Sequence, residues 1–224
     1  MSFISVFQQA YKELGFHSLI QTIRFNIHYF GKKNGLKLPV YIYDRVHFKQ
    51  RLGKVELQSF ETGNVKIGKC IVGVYNKANT EIQFNDSCSV YLGKNVIIGS
   101  GCRVSALGRV KMLENMCITA GAILICNKSI EIGKNSLISW NVQIMDTDIH
   151  KIYNDNKQTN PDSPISIGER VWINSGCVIL KGTRIADKCV VGANSLLNKE
   201  YSESNSLIVG NPAKCVRNQI EWER

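Results

Sequence analysis

The sequence has no uninterrupted apolar run of the roughly 18–20 residues that cross a bilayer, so no transmembrane helix is expected. Its opening stretch, MSFISVFQQAYKELGFHSLIQ, has neither a basic start before an apolar block nor a small-residue cleavage site, so no secretory leader is expected and the cytoplasm is the expected location. The eight cysteines (Cys70, Cys88, Cys102, Cys117, Cys126, Cys177, Cys189 and Cys215) form no CxxC pair, and none has a histidine at zinc-ligand spacing. They read as small, semi-apolar, reduced core residues, and no metal is expected. Acidic residues are in deficit, 18 Asp+Glu against 28 Lys+Arg, a formal net charge of +10. What is present, 224 residues with 44% hydrophobic, 21% charged and 8% aromatic side chains, can fill one core or a core with an appendage. That composition excludes a disordered or collagen-like chain.

A period of six organises most of the chain. Stepping by six meets Leu92, Ile98 and Val104, then Met112, Ile118 and Leu124, then Ile132, Ile138 and Ile144, and finally Ile167, Ile173, Ile179, Ile185, Val191 and Leu197, all aliphatic. Four residues after each ladder position the residue is mostly small or β-branched, including Val96, Cys102, Ala122, Ser136, Val142, Val171, Cys177, Thr183, Cys189 and Ser195. This period fits neither 3.6 nor simple alternation; it fits a short strand followed by a turn, repeated around a prism with eighteen residues per coil. Ordinary antiparallel strands would not hold that phase over four coils. Asn95, Asn115 and Asn135 recur every twenty residues, which reads as one coil plus a two-residue bulge at a corner.

Between Ile144 and Ile167 the phase is lost in MDTDIHKIYNDNKQTNPDSP, a polar stretch with two prolines that must leave the prism as a loop. It begins with Asp146, Asp148 and His150. A histidine can accept a proton near neutral pH, and an acid on its other nitrogen would fix the tautomer, so the spacing suits a base with an orienting carboxylate. A solvated bystander is the other reading of a loop histidine.

At IGERVWINSGCVILKGTRIADKCVVGANSLLNKE followed by GNPAKCVR the sequence resembles the hexapeptide-repeat acyltransferases, over about residues 60–217. The resemblance implies an all-β solenoid, a left-handed parallel β-helix, with a helical or irregular amino-terminal segment and a short carboxy-terminal extension. It also implies a homotrimer with active sites between neighbouring prisms. Some hexapeptide proteins hold zinc through three histidines, but only His17, His28, His47 and His150 exist here. In the sugar and polysaccharide members, WNVQIMDTDIH looks like the stretch carrying the catalytic base, which makes His150 the candidate with Asp148 beside it. Asn141 matches an acceptor-binding Asn, with a corner-capping Asn as the alternative. Acetyl-CoA is the implied co-substrate: Ser175 and Ala193 would line its pantetheine arm, Asn198 and Lys199 stand where a Thr-Lys pair is familiar, and Lys214 and Arg217 would meet its phosphates. Trp172 would border the acceptor or the pantetheine, or is simply a packed Trp.

Residues 24–54 carry eight Lys/Arg (Arg24, Lys32, Lys33, Lys37, Arg45, Lys49, Arg51 and Lys54) against Asp44, interleaved with aromatics and preceded by an expected helix over 3–22. This mixture suits contact with an anionic membrane surface or a cap on the prism's open end; nucleic-acid binding has no motif to support it. The expected organisation is an amino-terminal segment over 1–58, a β-helix over 59–200 with an extruded loop at 145–166, and an extension over 201–224. The expected activity is acetyl-CoA-dependent O-acetylation of a sugar hydroxyl in O-antigen, capsule or exopolysaccharide assembly. The alternatives are acetylation of a small antibiotic or free sugar, N-acetylation of an amino sugar, and a non-catalytic trimeric scaffold.

Overall fold

In the computed structural model, which describes residues 3–224, every position of the six-residue ladder points into the prism. All fifteen are buried, as are all ten residues named at the fourth position after them, Cys102, Cys177 and Cys189 included. The result is a left-handed parallel β-helix with three faces.

The first face stacks the strands Val40–Ile42, Val65–Lys69, Ile97–Ser100, Cys117–Ala120, Leu137–Ile138, Trp172–Ile173, Val190–Val191 and Leu207–Gly210, and the antiparallel strand Ala213–Arg217 closes it. The second runs from Val46–Arg51 through Thr80–Phe84, Arg103–Ala106, Ile123–Cys126, Gln143–Met145 and Val178–Leu180 to Leu196–Leu197. The third runs from Lys54–Leu57 through Ser89–Leu92, Arg109–Met112, Ser129–Ile132, Ile165–Ile167 and Arg184–Ile185 to Glu200–Tyr201. Register gives the coil length directly. Ile98 faces Ile118 and Ile118 faces Ile138, steps of twenty, whereas Ile173 faces Val191, a step of eighteen. The two extra residues of the longer coils sit where the second face turns into the third, at Leu107–Gly108 and Asn127–Lys128. Asn95, Asn115 and Asn135 stand at the corner between the third and first faces, each in the left-handed region and each amide bonded to the next at 2.9–3.0 Å.

Parallel pairing begins at Val40, inside the segment read from sequence as an appendage. The first coils hide from a period-six search because their corners are long and their strands bulged, as between Phe48 and Gln50. The amino-terminal helix, Phe3–Gly35, is longer than expected and is broken at Gly15 and Gly31, where φ is 74° and 65°. It blocks the free edge of the first strand. Thr22 and Asn26, one turn apart on one helix face, offer side-chain groups to that edge. The Val40 and Ile42 N–H groups donate to Asn26 Oδ1 (3.0 Å) and Thr22 Oγ1 (2.9 Å), while Asn26 Nδ2 donates to the Val40 carbonyl at 2.6 Å. Phe25 is fully buried against the half-buried Tyr29, Phe30 and Phe48, so these aromatics pack on the prism end. No helix among the described residues is long and apolar enough to cross a membrane.

Candidate active site

The extruded loop leaves the prism at the corner between the second and third faces, and Asp146 holds its root. Its fully buried carboxylate accepts the backbone N–H groups of Asn127 (2.7 Å), Lys128 (2.8 Å) and Ser129 (2.7 Å), which are the donors freed by the two-residue bulge one coil below. The loop itself contains a small hairpin, Tyr153–Asn154 against Lys157–Gln158, turned by Asp155 and Asn156 with φ of 48° and 62°.

Asp148 does not orient the His150 imidazole as the spacing predicts. Its carboxylate is ion-paired with Lys181 and accepts Asn160 Nδ2 at 2.8 Å. Lys181 beside it, then Asn160, hold its carboxyl below the usual carboxylate range. Asn160 is the hub of this latch. The same Nδ2 reaches the His150 carbonyl at 2.8 Å, Asn160 Oδ1 accepts the Ile152 N–H at 2.6 Å, and Lys181 Nζ donates to the Asn160 carbonyl at 3.0 Å. His150 is thus fixed through its main chain, while its ring stands exposed with no side-chain hydrogen bond among the described residues. An exposed, unencumbered imidazole on an anchored backbone can meet an acceptor from outside the prism.

Asn141, Ser175 and Ala193 lie on a different corner, between the first and second faces, stacked on successive coils. The Gly176 N–H donates to the Trp140 carbonyl (3.1 Å) and the Asn194 N–H to the Ser175 carbonyl (3.0 Å), so the column is tied coil to coil. Tyr75, from a lengthened first-to-second corner lower down, donates to Asn141 Oδ1 at 2.7 Å. Trp172 is on the first face. Its Nε1 donates to Ser139 Oγ (3.1 Å), and the carboxy-terminal tail lays Trp222 over it with ring centroids 5.8 Å apart. Asn198 and Lys199 stand at the second-to-third corner, the same corner as the loop. Lys199 and Lys214 line one depression of about 200 Å³ with Tyr201 and Ser206 at the carboxy-terminal end of the prism. Arg217 lies apart, opposite Leu207 at the far end of the last strand. Neither Lys214 nor Arg217 has an ion-pair partner among the described residues.

Comparison with known proteins places this architecture. Residues 164–199 match the family described as bacterial transferase hexapeptide (six repeats). The chain is 33% identical over 198 residues to an uncharacterized 24.8 kDa protein in the cps region of Klebsiella pneumoniae, covering 84% of this chain and 88% of that one. It is 30% identical over 141 residues to a protein of Escherichia coli K12 named "Putative lipopolysaccharide biosynthesis O-acetyl transferase WbbJ", covering 58% of this chain and 71% of the relative. The chain belongs to the hexapeptide-repeat acyltransferases. A crystal structure of the polySia specific acetyltransferase NeuO shares its fold, with a TM-score of 0.66 at 22% identity over 83% of this chain and 79% of the other. An N-acyltransferase from Bacillus cereus, AntD, crystallised with dTDP and coenzyme A, shares it with a TM-score of 0.51 at 16% identity, covering 73% and 82%.

Three residues of this acyltransferase escaped the sequence reading. Asn160 and Lys181 serve His150 from ten or more residues away, and no motif marks them. Tyr75 meets Asn141 across sixty-six positions, in a stretch where the repeat is already broken.

Proposed function

We propose that this enzyme transfers an acetyl group from acetyl-CoA to a sugar hydroxyl during assembly of a cell-surface polysaccharide, at the cytoplasmic side of the membrane, with His150 as general base. The observation that carries the reading is the loop that breaks the repeat and presents the His150 ring outward on a backbone held by Asn160. The imidazole takes the hydroxyl proton as the sugar oxygen attacks the thioester carbonyl carbon. It returns that proton to the thiolate as the carbon–sulfur bond breaks, so no covalent enzyme intermediate is needed. Asp148 serves the base at one remove, by holding Asn160 and Lys181 in place.

His150 and the column of Asn141, Ser175 and Ala193 occupy different corners of one prism. A complete site therefore needs the loop corner of one subunit and the column of another, in a homotrimer. Two faces support such packing. The first presents Ile97, Leu137 and Leu207 outward and the second Ile123, Met145 and Leu180, whereas the third presents the Lys111–Glu131 ion pair, Arg184 and Glu200. Ser175 and Ala193 would offer main-chain groups to the pantetheine arm, with Asn198 and Lys199 supplied from the neighbouring subunit's loop corner. Lys214, beside Lys199, and Arg217 are exposed cations, without an ion-pair partner among the described residues, suited to phosphate. Trp172 is given to packing beneath Trp222, with any acceptor contact made past that ring.

His150→Ala should lower turnover about 10²–10⁴-fold with acetyl-CoA binding retained. Co-assembly of His150→Ala chains with chains whose column is blocked by Ala193→Trp should restore part of the activity, because some interfaces then join two intact corners. Near-normal turnover by folded His150→Ala refutes the base, and no recovery in mixed trimers refutes the shared site.

A further inference from the structure

The first-to-second corner carries a built polar device. Tyr75 closes a short 3₁₀ turn, Gly73–Tyr75, in the long connection between Val65–Lys69 and Thr80–Phe84. Its ring lies along the prism axis on a floor of two glycines from successive coils. A Cβ at Gly101 would come within 3.3 Å of Tyr75 Cδ1, and one at Gly121 within 2.8 Å of Cε1 and 2.7 Å of Asn141 Oδ1. Gly101 and Gly121 also have φ of +75° and +61°, so neither position is suited to a side chain. With the ring seated, the Tyr75 hydroxyl arrives at Asn141, three coils beyond its own, and donates to Oδ1.

As formed, that bond sets which way the amide points: the hydroxyl donates and Oδ1 accepts. With Oδ1 used as the acceptor, the Asn141 NH₂ turns away, and Nδ2 has no partner among the described residues although the residue is exposed. Its chain neighbour Trp140 is a large apolar side chain open to solvent, at 44% exposure. An oriented donor pair beside an exposed indole fits a sugar, which offers hydroxyl and ring oxygens as acceptors and a C–H face for an aromatic surface.

We infer that Tyr75 is a positioning residue for acceptor recognition: it locks the Asn141 carboxamide with its N–H groups outward, and Asn141 with Trp140 forms the subsite that takes an oxygen-bearing edge of the acceptor sugar. The inference rests on the sugar-acetylating reading above. It adds the residue that sets the subsite's polarity, donors only, which favours neutral hydroxyl and ether oxygens over a protonated amine.

Tyr75→Phe keeps the ring on its glycine floor and removes only the hydroxyl. Assayed with acetyl-CoA and a panel of p-nitrophenyl hexosides, this variant should raise the acceptor KM about three- to tenfold, the loss of one neutral hydrogen bond, with kcat and the acetyl-CoA KM unchanged. Asn141→Ala should show the same split, and the Tyr75→Phe/Asn141→Ala double variant should be no worse than Asn141→Ala alone, because the hydroxyl acts through the amide. An unchanged acceptor KM in folded Tyr75→Phe, or additive losses in the double variant, overturns the inference. If the wild type acetylates neither the hexosides nor a panel of purified O-antigen, capsular and exopolysaccharides, the sugar reading itself fails. The amide orientation is then decided by NMR of asparagine-labelled protein, where an Asn141 side-chain signal unmoved by Tyr75→Phe refutes it.

Discussion

Asp146→Ala removes one buried carboxylate and strands three main-chain donors at once, the N–H groups of Asn127, Lys128 and Ser129. Hydrogen bonds to a charged acceptor are each worth about 1.5–3 kcal/mol, so a naive sum approaches about 5–9 kcal/mol. Two effects reduce it. Burying the carboxylate was itself costly, and that cost is recovered on deletion. The Asn127–Ser129 turn is only part-buried, so water can reach some of the freed donors. A net loss of about 3–5 kcal/mol remains, which for a chain of this size lowers the melting temperature by about 6–20 °C. Asp146→Asn keeps the shape and one acceptor oxygen, and should lose about half as much. Thermal melts of the two variants, read beside amide exchange at Asn127–Ser129, check the size and the place of the damage. A melting temperature of Asp146→Ala within about 2 °C of the wild type, or an Asn variant less stable than the Ala variant, would refute this account of the loop root. Activity should fall in step with exchange at the turn, since the same carboxylate anchors the start of the His150 loop.

The thiols give a second test. Cys70 and Cys215 are exposed while the other six are buried, and burial pushes the Cys102 thiol up to about 12. A chromogenic disulfide reagent at pH 8 should therefore titrate two of the eight cysteines in the folded protein and all eight in denaturant; rapid native reaction of a third would contradict the packing of the ladder. The donor site gives another. Lys199→Ala/Lys214→Ala removes both cations of one depression and should raise the acetyl-CoA KM about tenfold or more with kcat largely kept, and the defect should shrink with dephospho-coenzyme A. An unchanged KM in a folded protein would take both lysines out of the site.

What the sequence showed and what it hid follow from one physical difference. The prism was legible because each ladder position is buried for the same local reason: a strand of fixed length turns at a fixed place, so Ile118 and Ile138 must repeat Ile98. The loop was legible as the failure of that rule, and His150 as the one histidine within it. The partners of His150 were not. Asp148 sits two residues away and looks like its orienting acid, yet its carboxylate is drawn to Lys181, one coil on and thirty-three residues later, because that cation rises at the same corner. Spacing along a chain encodes which residues share a strand face. It does not encode which corners coincide once coils of eighteen, twenty and thirty-five residues are stacked, so Asn160, Lys181 and Tyr75 became visible only in three dimensions.

The same reasoning explains why Asn141 and His150, adjacent in one motif of the sequence, separate in the fold. Gln143–Met145 is a whole strand of the second face, and it carries the chain from one corner to the next between them. The two residues flank that strand and so stand at different corners of one prism. Under the proposed function, the stretch therefore contributes two half-sites, each to be completed by a neighbouring copy. On the proposed homotrimer, assembly would be a condition of activity, and the acceptor's recognition, at Asn141 and Tyr75, would fall on a different subunit from the proposed base, His150.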